Sequence, residues 1–238
     1  MTDIIKINDV QKTLAEAGFD LESELLRIET NGNGIDLPRI RIEHKDNGKH
    51  RVYIDYGENY LGDETQEETI TGNTFSACIF AEQFIRALWD EGELLPRCSA
   101  VDAVPIVENP VKENCRVCPE SAIGSACKPK VRLWLLLEHA GEIKPFIFNL
   151  SPTSLKHWNA HKKRLKRSKL PVVAVNTVFT LEDVRKNSYR WAEVNIDIDG
   201  IVSREVLLLA KQYRDELDRL MGVVSEKDYD DPGDKVGA

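Results

Sequence analysis

Between Leu94 and Lys130 the chain abandons hydrophobic periodicity. This segment carries four prolines before position 120 and four of the five cysteines, Cys98, Cys115, Cys118 and Cys127. Such a stretch cannot bury enough apolar surface to offset the conformational entropy lost on ordering it. It needs another source of order, and the spacing C-x16-C-x2-C-x8-C supplies one. A CxxC turn brings two thiolates onto one tetrahedral ion, and two further cysteines close a structural site. Metal-binding free energy is then also folding free energy, so a structural Zn2+ is the expected cofactor. Three other readings stand beside it. Disulfides fit poorly with an odd cysteine count in a cytoplasmic chain. A redox CxxC opens a helix in an α/β unit, which the Pro-rich surroundings of Cys115 do not resemble. Independent buried thiols are the third, and Cys78, within SACIF, is read as one of these.

On either side the pattern is ordinary. From about Ile4 to Ile28 apolar residues recur at helical spacing, giving one or two short helices. From Pro38 the period becomes two: Ile40 and Ile42, then Val52, Ile54 and Tyr56, alternate with polar neighbours across Asn47-Gly48, a strong hairpin signal. The apolar block Phe75–Trp89 fits a buried strand, a helix, or one leading into the other. Strand-like runs follow at Arg132–Glu138 and Pro145–Leu150, joined through Ala140-Gly141, and again at Pro171–Leu181 and Tyr189–Ile198. A last helix starts at Ser203 as N-cap, carries Val206, Leu209, Tyr213, Leu217 and Leu220 on one face, and stops at Gly222. The fold class is α+β. It divides into a helical segment 1–36, a sheet core 37–200 with the cysteine insertion at about 94–130, a helix 201–222 and an acidic tail 223–238.

Net charge is −8, from 32 basic and 40 acidic residues, which taken alone argues against an anionic partner. The charge is not evenly spread. Between Lys128 and Lys169 eleven Lys/Arg meet two acids, Glu138 and Glu142, giving +9 and leaving −17 elsewhere. Concentrated basic charge can hold a polyanion whatever the global sum.

Ser151-Pro152 opens a helix with Ser as N-cap and Pro at the first helical position. From Lys156 to Lys169 it carries seven cations, Lys156, Lys162, Lys163, Arg164, Lys166, Arg167 and Lys169, and no acid. Leu155, Trp158 and Leu165 share one side and should face the core. Thr153, Ser154 and the free amides at the helix start form a candidate phosphate seat. Single-signed charge lacks the usual i,i+4 compensation, so either acidic elements of the same protein or an external polyanion must supply it. Trp134, Phe146, Phe148 and Trp191 lie on the flanking strands. Displayed beside cations, such aromatics would stack bases, although burial is the commoner fate of each.

Other chemistry is sparse. No apolar run approaches the roughly 20 residues a membrane helix needs, and Met1 leads into no secretory signal, so a cytoplasmic location, that of the host cell if the chain is phage-encoded, and no membrane partner are expected. Asp197 and Asp199, at i and i+2 in NIDIDG, would suit a metal-dependent nuclease but read more simply as a turn. There is no Gly-rich phosphate loop, nucleophile elbow or HExxH. His44, His50 and His139 stand singly in polar settings and are read as surface residues. Glu226, Asp228, Asp230, Asp231 and Asp234 form an acidic end that either solubilises the chain or competes for the basic groove and recruits proteins.

The stretches PRCSAVDAVP, ENCRVCPESAIGSACKPKVRLWLLL, KPFIFNLSPTSLKHW and VVAVNTVFTL resemble a set of phage and prophage zinc-containing replication or recombination proteins. Phage single-stranded DNA-binding proteins of the OB-fold type are the nearest functional class. The likeness spans about residues 37 to 195. It implies that Cys98, Cys115, Cys118 and Cys127 are zinc ligands and that Arg132 and Ser154 occupy typical positions. The Gly/Lys-rich insert of that set is shortened here to PESAIGSA. An OB-like small β-barrel, with a helix between its third and fourth strands and a cysteine loop walling the groove, accommodates the strand inventory.

The expected function is non-enzymatic: sequence-tolerant binding of single-stranded DNA in phage DNA replication or recombination. Lys128, Lys130, Arg132 and the seven helix cations would hold phosphates, and Trp134 or Trp158, if exposed, would stack bases. Expected partners are single-stranded DNA, replication or recombination proteins met by the tail, and a second copy of the chain. The alternative is a zinc-braced protein-interaction module acting on a host polymerase or nuclease.

Overall fold

Period-two alternation, broken by turns that demand positive φ, builds most of this protein. The computed structural model describes residues 16–17, 37–45, 47–58, 65–70, 72–90, 96–122 and 125–217. By internal contacts the chain divides into Met1–Asp36 and Leu37–Ala238. The expected N-terminal helices, the stop at Gly222 and the acidic tail lie outside the described residues.

Among the described residues of the second unit are ten strands: β1 (Arg39–Glu43), β2 (Arg51–Glu58), β3 (Thr65–Ile70), β4 (Thr74–Leu88), β5 (Cys98–Val101), β6 (Val104–Pro105), β7 (Lys128–His139), β8 (Glu142–Leu150), β9 (Val175–Lys186) and β10 (Tyr189–Ile201). Helix α1 (Leu155–Arg167) joins β8 to β9, and α2 (Arg204–Leu217) follows β10. The result is a mixed α and β fold, mostly strands in one open sheet ordered β10-β9-β4-β7-β8-β1-β2-β3, with β5 on β4 and β6 on β5. β1 runs parallel to β8, and the other registered pairs are antiparallel.

The hairpins follow their turn residues. Gly48 (φ 75°) closes the β1–β2 turn, where its N–H donates to the Lys45 carbonyl at 2.9 Å. Ala140 and Gly141 (φ 51° and 82°) form the two-residue loop of β7–β8, whose positive φ values match the strand twist. The ambiguous block Phe75–Trp89 is a strand up to Leu88, and its length lets β4 pair with β9 at one end, β5 at the other and β7 along the opposite edge. A register shift between Ile79 and Ala81 reverses which side chains face inward. Phe75, Ala77 and Ile79 lie in the core before it, and Phe84 packs on the core after it.

That core is filled by alternate residues of β1, β2, β4, β7, β8, β9 and β10. At its centre the rings of Phe75 and Phe179 stack at 4.9 Å, and Phe148 meets both edge-on at 5.3 and 5.4 Å. Pro171–Leu181 was expected to be strand from its start; residues Val172–Ala174 instead form a 3-10 turn before β9 begins. Helix α2 starts as expected, with the Val206 N–H donating to Ser203 Oγ at 3.3 Å. It lies on the other face of β4, where Tyr213 meets Phe80 and the Arg214 Nε–H donates to the Phe80 carbonyl at 2.7 Å. No helix among the described residues is long and apolar enough to cross a membrane.

Candidate functional site

Helix α1 is placed by its apolar stripe. Trp158, His161 and Leu165, at i, i+3 and i+7, are buried, and Leu155 packs on the core at half exposure. His161 belongs to this stripe, a spacing visible in the sequence but masked by the polarity of histidine. Burial first, and the Arg164 charge second, lower its pKa to about 4, so it is neutral at pH 7. The helix entry differs from the expected N-cap: Pro152–Ser154 form a 3-10 turn, and α1 begins at Leu155. Ser154 is buried, and its Oγ accepts the Val194 N–H at 3.0 Å. It ties the helix start to β10 and does not serve in a phosphate seat.

The seven cations divide into two groups. Lys156 pairs with Glu193 at 2.6 Å, Lys162 with Glu82 at 2.9 Å and Arg164 with Asp197 at 3.0 Å. Acids of β4 and β10 thus supply part of the compensation that the helix lacks. Glu193 is buried and also takes His157 as a partner. Burial pushes its carboxyl up, but the bonds and charges of Lys156 and His157 outweigh that and hold it below the usual range. Lys163, Lys166, Arg167 and Lys169 are exposed and have no carboxylate partner among the described residues. Positions 163, 166 and 167 share one side of the helix, so the uncompensated charge is a stripe.

Four other expected contacts are corrected. Trp158 is 0% exposed and its indole N–H donates to Glu82 Oε2 at 3.0 Å, with Lys162 over its ring. Trp134 is 3% exposed, so neither tryptophan offers a face to a base. Lys130 and Arg132 are 1% and 5% exposed. They lie on the side of β7 opposite Val131 and Leu133, where Arg132 donates to Gln83 Oε1 at 3.2 Å and stacks over Trp134. Both faces of β7 are buried, and these two cations are occupied within the protein. Lys128, at the start of the strand, is half-buried. Phe146 and Phe148 are core, whereas Trp191 is half-buried.

The cysteines come from three segments: β5, the 3-10 turn at Cys115 and the approach to β7. Leu88 is in register with Cys98 on one side, and one step beyond the Ala87–Lys128 pair it meets Cys127 on the other. Cys115 opens a 3-10 turn, fixed by Asn114 accepting the Arg116 N–H and by the Cys118 N–H donating to the Cys115 carbonyl at 3.4 Å. The Cys115 N–H donates to the Ala103 carbonyl at 3.2 Å, laying the turn on the β5–β6 hairpin. All four thiols are free. Burial raises the Cys115 pKa, and the neighbouring charges of Cys98 and Cys118 add to it. Burial also raises that of Cys127, opposed by a hydrogen bond from Arg86 and reinforced by Cys115 and Cys98. Among the described residues, however, no group of three or more His, Cys, Asp or Glu is gathered closely enough to hold a metal ion. Arg86 stands among the thiols, with Nη1 donating to the Ser121 carbonyl at 3.2 Å.

Asp197 and Asp199 do fall at alternate positions of β10, but each is engaged: Asp197 by Arg164, and Asp199 by Ser76 and Asn176. Of the histidines read as surface residues, His44 and His50 make structural bonds. His50 is buried between the Lys45 N–H and Asp183, and His44 Nδ1 accepts the Ala192 N–H at 2.9 Å. His139 bonds Glu68 at 2.9 Å. No protein-family model, curated protein or solved structure matches the chain.

Proposed function

We propose that this protein binds single-stranded nucleic acid without sequence preference, as a non-catalytic DNA-binding protein of replication or recombination. The observation that carries the reading is the stripe of Lys163, Lys166 and Arg167, continued by Lys169: exposed, single-signed and without a carboxylate partner among the described residues. A helix surface of this kind repels itself, and a phosphate backbone relieves it while releasing counterions.

The connectivity supports an OB-like core. β4, β7 and β8 run consecutively, α1 follows, and β9 and β10 return so that β4 lies between β9 and β7. This connectivity is compatible with that of a five-stranded barrel with its helix between the third and fourth strands, although among the described residues β8 pairs with β1 and not with β10. His44 and His50, bonded to β10 and β9, bring β1–β2 against the opposite end of the sheet. On that mapping the cysteine segment is the connection between the first and second strands, one of the two loops that OB-type modules use for ligands.

We assign Cys98, Cys115, Cys118 and Cys127 as the residues that would hold a structural Zn2+; the bound ion would order the segment and neutralise the thiolates. The acidic tail is proposed to meet replication or recombination proteins. A protein-docking role has one observation of its own, the exposure of Val104 (64%), Ile106 (40%) and Val117 (75%) on the cysteine module. The discriminating experiment is titration of a labelled oligonucleotide at several salt concentrations: affinity for single strands that falls steeply with salt supports the proposal, and no binding at low salt refutes it.

A further inference from the structure

With Trp134 and Trp158 buried, the stacking element of the interface must lie elsewhere. The β9–β10 hairpin supplies it. Tyr189 is 54% exposed and lies two residues before Trp191 on β10, so both side chains leave the same face of the strand. Across the ladder Tyr189 is in register with Lys186, and Trp191 with Val184, which puts an exposed ammonium beside the two rings. Lys186 has no carboxylate partner among the described residues, whereas Arg185, in register with Arg190, leaves the opposite face. The indole N–H of Trp191 is buried without a hydrogen-bond partner, so the exposed remainder of its ring is apolar surface.

The opposite face of the same hairpin is locked. Arg190 donates through Nε and Nη2 to Asp183 at 2.7 and 2.6 Å, and Asp183 also bonds His50 on β2's approach at 3.0 Å. Those bonds hold the Asp183 carboxyl down to about 2, so the clamp stays charged throughout the neutral range. One face anchors the hairpin, and the other presents aromatic surface with positive charge at its edge. Tyr189 leaves an exposed ring beside the half-buried Trp191, and a single strand offers a base π-face for Tyr189 and a phosphate for Lys186.

We propose that the outer face of this hairpin, Tyr189 and Trp191 with Lys186, is a base-stacking platform for single-stranded nucleic acid. The proposal rests on the nucleic-acid reading above and adds to the α1 stripe a second contact of different chemistry. The stripe takes phosphates only. The platform takes a base, and so would favour single strands over duplex, whose bases are already stacked.

The test uses the full chain and a fluorescein-labelled thymidine oligonucleotide of about 16 nucleotides, the upper site size for one OB-type module. Tyr189→Ala should weaken binding by about 5- to 160-fold, the range for losing one base–aromatic stack, and leave the salt slope unchanged. Tyr189→Phe should restore it. Lys186→Gln should instead lower the salt slope by about 0.7, one phosphate contact on a single strand. Thermal melts of the three variants that coincide with wild type exclude misfolding at this exposed turn. Wild-type binding with unchanged affinity of Tyr189→Ala overturns the platform alone. Absence of wild-type binding overturns the function and the platform together.

Discussion

The two groups of cations on α1 should behave differently when neutralised. Lys163, Lys166, Arg167 and Lys169 have no carboxylate partner among the described residues, whereas Lys156, Lys162 and Arg164 are engaged by Glu193, Glu82 and Asp197. On a single strand each neutralised phosphate contributes about −0.7 to the slope of log K against log salt. Four contacts therefore contribute about −2.8, and at ~0.1 M salt, one decade below the 1 M reference, they are worth roughly 600-fold in affinity. Changing all four to Gln should remove that slope and that factor. Changing Lys156, Lys162 and Arg164 to Gln should alter the slope by less than half as much per residue, because their charge is already partly neutralised, and should cost stability by leaving Glu193 with fewer partners. Fluorescence anisotropy from about 0.05 to 0.5 M salt measures both quantities. Equal loss of slope per residue in the two sets would refute the division into committed and available charge.

Three further outcomes follow from the packing. Trp158→Ala should destabilise by about 3–5 kcal/mol in urea unfolding, since it empties a fully buried site and strips Glu82 of a donor. Glu193 has a folded pKa held below its unfolded value near 4.5, so its stabilisation is complete above that value and is lost as pH falls through the folded pKa. Urea midpoints measured from neutral to acid pH should therefore drop in the wild type and drop less in Glu193→Gln. Purified protein should contain about one zinc per chain by elemental analysis. Cys118→Ser should lose it and become cleavable within 96–122, whereas Cys78→Ser, altered at a separate buried thiol, should keep it.

The hairpins were legible because their turns carry a stereochemical demand: Gly48 after Asn47, and Gly141 after Ala140, mark positions where φ is positive. The start of α2 was legible from Ser203 for a similar local reason. The run Phe75–Trp89 was not, because the register shift after Ile79 interrupts the alternation on which a strand is recognised. Charge could be counted from sequence but not apportioned. Glu82, Glu193 and Asp197 lie 80, 37 and 33 positions from the cations they take on α1, so only the fold decides which charges remain available. The same holds for aromatics. Trp134 and Tyr189 each stand on a strand with a cation in register or beside it, yet one is buried and the other half exposed, a difference set by which part of the sheet has another layer upon it. Ser154 and His50 were misplaced for the same reason: their partners, Val194 and Asp183, are remote in sequence.

Competition at low salt is the most direct measurement of single-stranded nucleic-acid binding. The full chain, bound to a labelled thymidine oligonucleotide, is titrated with unlabelled single strands of mixed sequence and with duplex of the same length. Displacement by single strands of any sequence at concentrations well below those of duplex is the predicted result. Failure of the labelled oligonucleotide to bind, or displacement by duplex and single strand alike, would contradict it.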